Sequence, residues 1–241
     1  MKKHFLYLSL LTDLLIVCFA FTACGGDDGD DTGTGPTVNG KRIVSWTSVE
    51  VDDRWAGHET TGTLEYNSKG QIIQGSNNDY VITYVYENSK IIRTTNSSES
   101  ITYNLSDGRI VSDSDGNTYE YDSNGYIKKM VIKGNGTYDF IWDYGNIAKI
   151  IKNNDRTTTF TYTTISTSLL PLYNYGDNFL YFDDILAMQG YYGKRCKNLP
   201  SSTTHNKGDN MYDYTITNGV VTKSILYYTS DHKMIYTYNW E

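Results

Sequence analysis

This chain is poor in the residues that build most staples and reactive sites. It has 3 cysteines, 3 prolines and 4 histidines in 241 residues, and only 20% of its residues are charged. So little cysteine excludes a disulfide-stapled scaffold and argues against clustered zinc sites. Basic residues are outnumbered, with 21 Lys and Arg against 28 Asp and Glu. A net charge of −7 argues against nucleic acid as a partner, because phosphate binding needs a basic surface. No Gly-x-Ser-x-Gly elbow, phosphate loop or dinucleotide fingerprint occurs, so no cofactor and no catalytic residue is expected. Long hydrophobic runs are missing after the first twenty residues. Yet 39% of residues are hydrophobic and 14% aromatic, too apolar a composition for a chain disordered throughout. What stands out is 23 tyrosines and 21 glycines.

The N-terminus reads as an address. Lys2, Lys3 and His4 precede a short apolar run, Phe5 to Ala20, which Phe21-Thr22-Ala23-Cys24 closes with small residues before a cysteine. The run is too short for a convincing membrane-spanning helix. It resembles a bacterial lipoprotein signal, with Phe21 where leucine is commoner. Residues 1–23 are then a signal peptide, and Cys24 becomes the lipidated first residue of the mature chain. Residues 24–40 follow as a flexible acidic stalk. Six glycines, four aspartates and a proline accompany a single apolar side chain, Val38, which is too little surface to offset ordering entropy. The aspartates after the cysteine resemble the export tag of surface lipoproteins in Gram-negative gut anaerobes. The leader holds two lysines and one aspartate, so the mature chain carries −8; half of that lies in the stalk, leaving −4 on residues 41–241. The expected location is the outer membrane, at the cell surface or its periplasmic face, with the membrane reached through the lipid anchor.

Residues 41–241 contain a degenerate repeat: an alternating aromatic strand, a polar turn usually ending in glycine, then Ile or Val. It appears as Tyr66-Asn-Ser-Lys-Gly-Gln-Ile72, Tyr103 to Ile110, Tyr121-Asp-Ser-Asn-Gly-Tyr-Ile127, Trp142 to Ile147 and Tyr214 to Val221. Tyr86 to Ile92 is a copy without the glycine. Asn, Asp and Gly accept the positive φ of tight hairpin turns. Period-2 alternation marks strands with two unlike faces, as in Tyr138, Phe140, Trp142 and Tyr144 against Asp139, Ile141 and Asp143. Six or seven such units give an all-β antiparallel meander of about 12–14 strands. A sheet of that size closes into a barrel or rolls up, since an open edge is a liability.

One segment breaks the rhythm. Across about 166–210 the period is lost, and Asp177 is placed to cap a helix over 178–189 that ends before Gly190. Phe179, Phe182, Ile185, Leu186 and Gln189 share one face, so this inserted helix caps or plugs the barrel. The hairpins are similar to the Tyr-Asp repeats of large bacterial shell and toxin proteins. The lipoprotein start, the Tyr-x-x-x-Gly-x-Ile units and the insertion together resemble an uncharacterised family of gut-bacterial lipoproteins, a domain of unknown function with a porin-like β fold. That resemblance implies the barrel but no activity.

The candidate chemistry is sparse. Asp113-Ser-Asp-Gly-Asn117 has oxygen spacing like a calcium loop, but lacks the further acids a full site needs, so a hairpin turn is expected and no metal. Cys196 follows Lys194 and Arg195, which lower a thiol pKa, but a nucleophile needs a base, and His205 is the nearest in sequence. Most aromatics belong to the stripes and therefore to the core. The tyrosines that leave the stripes are the ligand candidates: Tyr126 in a turn, and Tyr173, Tyr175, Tyr191 and Tyr192 in the insertion. The expected function is non-catalytic binding of a ligand such as a glycan or an envelope protein. The alternatives are a structural scaffold at the outer membrane and, less favoured, a small hydrolase.

Overall fold

The computed structural model describes residues 37–52, 57–96, 99–170, 183–206 and 208–241. The strands are β1 (Ile43–Asp52), β2 (Glu59–Tyr66), β3 (Ile72–Ser76), β4 (Val81–Tyr86), β5 (Lys90–Thr95) and β6 (Ser100–Ser106). Next come β7 (Arg109–Asp113), β8 (Thr118–Tyr121), β9 (Ile127–Ile132), β10 (Gly136–Asp143), β11 (Asn146–Lys152) and β12 (Arg156–Ser166). The helix α1 (Asp184–Met188) precedes β13 (Asn198–His205), β14 (Gly208–Thr217), β15 (Val220–Tyr227) and β16 (His232–Trp240). Each strand pairs antiparallel with its neighbours in sequence, and β1 pairs with β16, so the 16 strands form one closed up-and-down barrel.

The expected all-β meander is therefore a closed barrel, with 16 strands in place of about 12–14. The difference has a clear cause. The repeat unit is an aromatic at the end of an even-numbered strand and an aliphatic at the start of the next odd-numbered one. Ile43, Ile72, Ile91, Ile110, Ile127, Ile147, Leu199 and Val221 hold the aliphatic place, and all are at most 3% exposed. Six of these eight units are contiguous in sequence. The seventh, Tyr162 with Leu199, is split by the insertion, and the eighth, Trp240 with Ile43, is assembled from opposite ends of the barrel domain. The rhythm also resumes earlier than expected. β13 and β14 occupy residues from Asn198 onward, so the non-repetitive segment is 167–197, narrower than 166–210.

The aromatics of the repeat have a specific task. At one end of the barrel the β1–β2, β7–β8 and β9–β10 ladders stop short of Ile43, Ile110 and Ile127, leaving their main-chain carbonyls without ladder partners on that side. Side-chain donors reach across and satisfy them. Tyr66 Oη donates to Ile43 O at 2.7 Å, Tyr86 to Ile72 O at 2.6 Å and Tyr121 to Ile110 O at 2.6 Å. Trp142 Nε1 donates to Ile127 O at 2.6 Å, Tyr162 Oη to Ile147 O at 2.8 Å and Trp240 Nε1 to Val221 O at 2.9 Å. An unpaired buried carbonyl is costly, which favours an aromatic with a polar tip at six of the eight repeat places. Leu105 and Ile216 stand at this place in the two remaining units. The turns at this end include the Asp107-Gly108 and Asn218-Gly219 pairs, both residues at positive φ, as a two-residue hairpin with matching twist demands.

A barrel of 16 strands is too wide for its own side chains to fill. The insertion fills it. Asp183 caps α1 by accepting from Leu186 N at 3.0 Å, and Gly190 follows the helix at φ 81°. The described helix is thus shorter than the expected 178–189 and is capped at Asp183. Asp177 and residues 178–182 lie outside the described residues. Leu186 is fully buried in a cluster with Tyr84, Tyr103, Tyr119 and Phe140. Met188, on the same helix, packs in a second cluster with Ile43, Leu199, Val221 and Tyr238. The helix joins the two clusters and plugs the lumen. The even-to-odd turns, the plug and the start of β1 all lie at the same end of the barrel, here called the plug end. Residues 38–41 also dock there, with Asn39 Nδ2 donating to Gly219 O at 3.1 Å.

Candidate functional site

The plug is tied to the barrel wall by polar side chains. Both oxygens of Asp183 accept from Tyr84 Oη at 2.9 Å, and Oδ2 lies 3.1 Å from Arg93 Nε. The Arg93 contact is an ion pair by distance but is misaligned for a hydrogen bond. Burial pushes the Asp183 carboxyl up; the Leu186 amide, Arg93 and Tyr84 act against it. Asp184 is pushed up to about 7, first by the surrounding protein and then by the Asp183 carboxylate. Its side chain is nonetheless open to solvent, which screens part of that push. Gln189 donates to Tyr86 Oη at 2.8 Å, and its Oε1 accepts from Ile72 N at 3.0 Å. Burial raises the hydroxyls of Tyr84, Tyr86, Tyr119 and Tyr192 far above the usual tyrosine range, so they act as neutral donors.

The five candidate tyrosines divide. Tyr173 and Tyr175 lie outside the described residues. Tyr191 stacks on Tyr86 at 5.8 Å, accepts from Gln71 Nε2 at 3.1 Å, and its carbonyl accepts from Ile110 N. Tyr192 is 5% exposed and meets Tyr119 edge-on at 5.2 Å. Both rings pack the plug against the wall. Tyr126 is different: it is half-buried at the rim, 4.5 Å from the Trp142 ring, with Lys194 Nζ 5.5 Å above it.

The rim around Tyr126 is built by main-chain contacts between plug and turns. Lys194 N donates to Gly125 O at 3.0 Å, and Lys197 N donates to Gly145 O at 2.9 Å. A Cβ on Gly193 would lie 2.4 Å from Gly125 O and 3.0 Å from the Tyr121 ring, so only glycine permits this approach. Arg109 stacks over Tyr121 at 5.0 Å and reaches the same glycine turn from the other side. A small hollow between plug and wall is lined by Ile127, Ile147, Ala187, Tyr192, Gly193, Lys194 and Arg195. The arrangement offers aromatic and cationic groups but no pair of converging carboxylates.

Other sequence candidates are placed plainly. Both Asp113 oxygens are engaged, by the Asp115 and Asn117 amides, Asn117 Nδ2 and Tyr119 Oη, so this stretch is a hydrogen-bonded hairpin turn. Cys196 is buried in the core, within 3.4 Å of Tyr162 Oη. His205 ends β13 at the far end of the barrel, whereas Cys196 precedes that strand's first residue, Asn198; the strand between spans roughly 20 Å. These two do not form a catalytic pair. Arg109 was missed as a rim residue because nothing in the spacing of residues 109 and 194 signals that they meet.

The outer wall is not an apolar belt. Thr61, Thr63 and Glu65 on β2, and Asp209, Asp213 and Thr215 on β14, face outward and are exposed. The fold defines a class, then: a 16-stranded antiparallel barrel closed on itself and filled by an inserted helix. Among the solved structures that superpose on this chain are two porin-like proteins. A porin-like protein from Bacteroides uniformis superposes with a TM-score of 0.63 at 15% identity, covering 83% of this chain and 98% of that one. A porin-like protein from Bacteroides vulgatus gives 0.54 at 13% identity, covering 83% and 99%. No protein-family model matches the chain. No curated protein matches it either.

Proposed function

We propose that this protein is an outer-membrane lipoprotein, anchored through Cys24, whose plugged barrel binds a glycan without catalysis at the plug-end rim. The carrying observation is the fate of the tyrosines: of the candidates described, Tyr191 and Tyr192 are spent on packing, and Tyr126 stands at the surface beside Trp142 and Lys194. A half-buried aromatic pair at a concave rim is a natural stacking platform for a sugar ring. The exposed threonines, aspartates and glutamate of the outer wall suit a barrel held beside the bilayer by its tether, since a lipid-facing wall needs an apolar band. A glycan array followed by calorimetry tests the binding: Tyr126→Ala is expected to lose at least tenfold in affinity, and a wild-type protein that retains no saccharide overturns the reading. Anchoring is tested separately: Cys24→Ser is expected to abolish fatty-acid labelling and release the protein from the membrane fraction.

A further inference from the structure

We infer that the saccharide held at this rim is anionic, with its carboxylate or phosphate group seated between Arg109 and Lys194. This rests on the glycan-binding reading above and specifies its ligand class.

The observation is a pair of like charges brought together. Gly125 is the hinge of the arrangement. A Cβ there would lie 3.2 Å from an Arg109 guanidinium nitrogen and 4.0 Å from Lys194 Cγ. The two cationic side chains therefore flank a position one residue wide. Their stems are fixed by backbone: Arg109 opens β7, and Lys194 is bonded through its amide to Gly125 O. Among the described residues, neither side chain forms an ion pair. Each lies over a tyrosine ring, Arg109 over Tyr121 and Lys194 over Tyr126. Asp122, the acid of the same turn, turns its Oδ1 to the Asn124 and Tyr126 amides, and forms no ion pair with either cation among the described residues. Two adjacent cations without a carboxylate between them repel, and an anion placed between them relieves that repulsion.

The geometry also divides the labour. Lys194 is exposed, and its ammonium lies over the Tyr126 ring. A sugar ring taking that face would displace the ammonium toward the anionic substituent and toward Arg109. The guanidinium, half-buried and stacked on Tyr121, is the fixed partner and suits a planar carboxylate. Residues 41–241 carry −4 overall, so a free anion gains little from the protein's net field. Binding therefore depends on this local pair.

The test measures four probes by calorimetry on the full mature chain: an oligogalacturonate, its methyl-esterified neutral counterpart, a phosphorylated oligosaccharide and inorganic phosphate. One or both charged saccharides are expected to bind at least tenfold more tightly than the neutral one, identifying the carboxylate or the phosphate as the recognised group. Binding of the charged sugar should weaken as salt rises, and Arg109→Gln with Lys194→Gln should reduce it at least tenfold. Lys149→Gln, an exposed charge on the wall, should leave it unchanged. Equal binding of neutral and charged sugars overturns this inference and leaves the glycan reading standing. Binding of inorganic phosphate as tightly as any saccharide overturns it in favour of a simple anion site. No binding of any sugar removes both.

Discussion

At the plug end, strand pairs separate, aromatic side chains bridge the gaps, and the helical insertion packs the lumen. At the distal end the lumen is lined with polar groups. Glu50 Oε1 lies 2.8 Å from His232 Nε2, and Asn210 and Thr203 are buried. The same wall therefore carries two interiors. One is aromatic and cross-tied by side-chain hydrogen bonds; the other is more polar, and Thr203 Oγ1 has no hydrogen-bond partner among the described residues. The tyrosine hydroxyls make the contrast plain. Tyr66 Oη closes a gap at the plug end, whereas Tyr138 Oη, buried toward the distal end, has no hydrogen-bond partner among the described residues.

The largest effect is expected where the plug is tied down. Asp183→Ala leaves Arg93 and Tyr84 facing an empty site and removes the helix cap; chemical denaturation should show a loss of about 3 kcal/mol. Leu186→Ala, at a fully buried position, should cost a similar ~3 kcal/mol. A loss below ~1 kcal/mol in both would mean that the plug opens independently of the barrel and that the two interiors are separate folding units. The next test applies one substitution at both ends. Tyr66→Phe strands the Ile43 carbonyl and should destabilise by about 1–3 kcal/mol, whereas Tyr138→Phe removes an unpartnered hydroxyl and should be neutral or stabilising. Equal losses at both positions would erase the distinction.

The smallest effect is in pH. Asp183 and Asp184 both have folded pKa values raised above the unfolded value. Between about pH 4 and pH 7 the folded chain holds more protons than the unfolded chain, so their contribution is largest at low pH and is lost as pH rises. Asp184→Asn should shrink the difference in Tm between pH 5 and pH 8. A variant with an unchanged pH profile would mean that lumen solvent screens this carboxylate completely.

Much of the barrel was legible because its repeat is enforced locally. Tyr121 and Ile127 mark a unit because one must donate to a carbonyl and the other must be buried, and both demands fall within one hairpin. The two missing strand pairs were illegible for the same reason. Tyr162 and Leu199 are separated by the plug, and Trp240 and Ile43 by nearly the whole barrel domain, so no window of sequence contains either unit. The helix was legible in type, but its described start is set by Asp183, whose partners Tyr84 and Arg93 come from β4 and β5. Tyr126 departs from the stripe, and its ring lies half-buried at the plug-end rim. Tyr191 and Tyr192 depart from it too, and only the three-dimensional return of the plug toward β4 and β8 shows that they pack inward.

The pairing of β1 with β16 also sets a temporal order. Arg42 and Glu241 exchange both main-chain hydrogen bonds, and their side chains meet at 2.6 Å. Hairpins can form one after another as the chain emerges, each from local contacts. The ring itself waits for the final strand, since its last seam joins residues nearly 200 positions apart. Until then both margins of the sheet are unpaired, and the growing barrel is at its most vulnerable to joining another chain. Once shut, it has no open edge. Linking its ends and opening the chain at a different turn should yield the same ring in a different order of assembly.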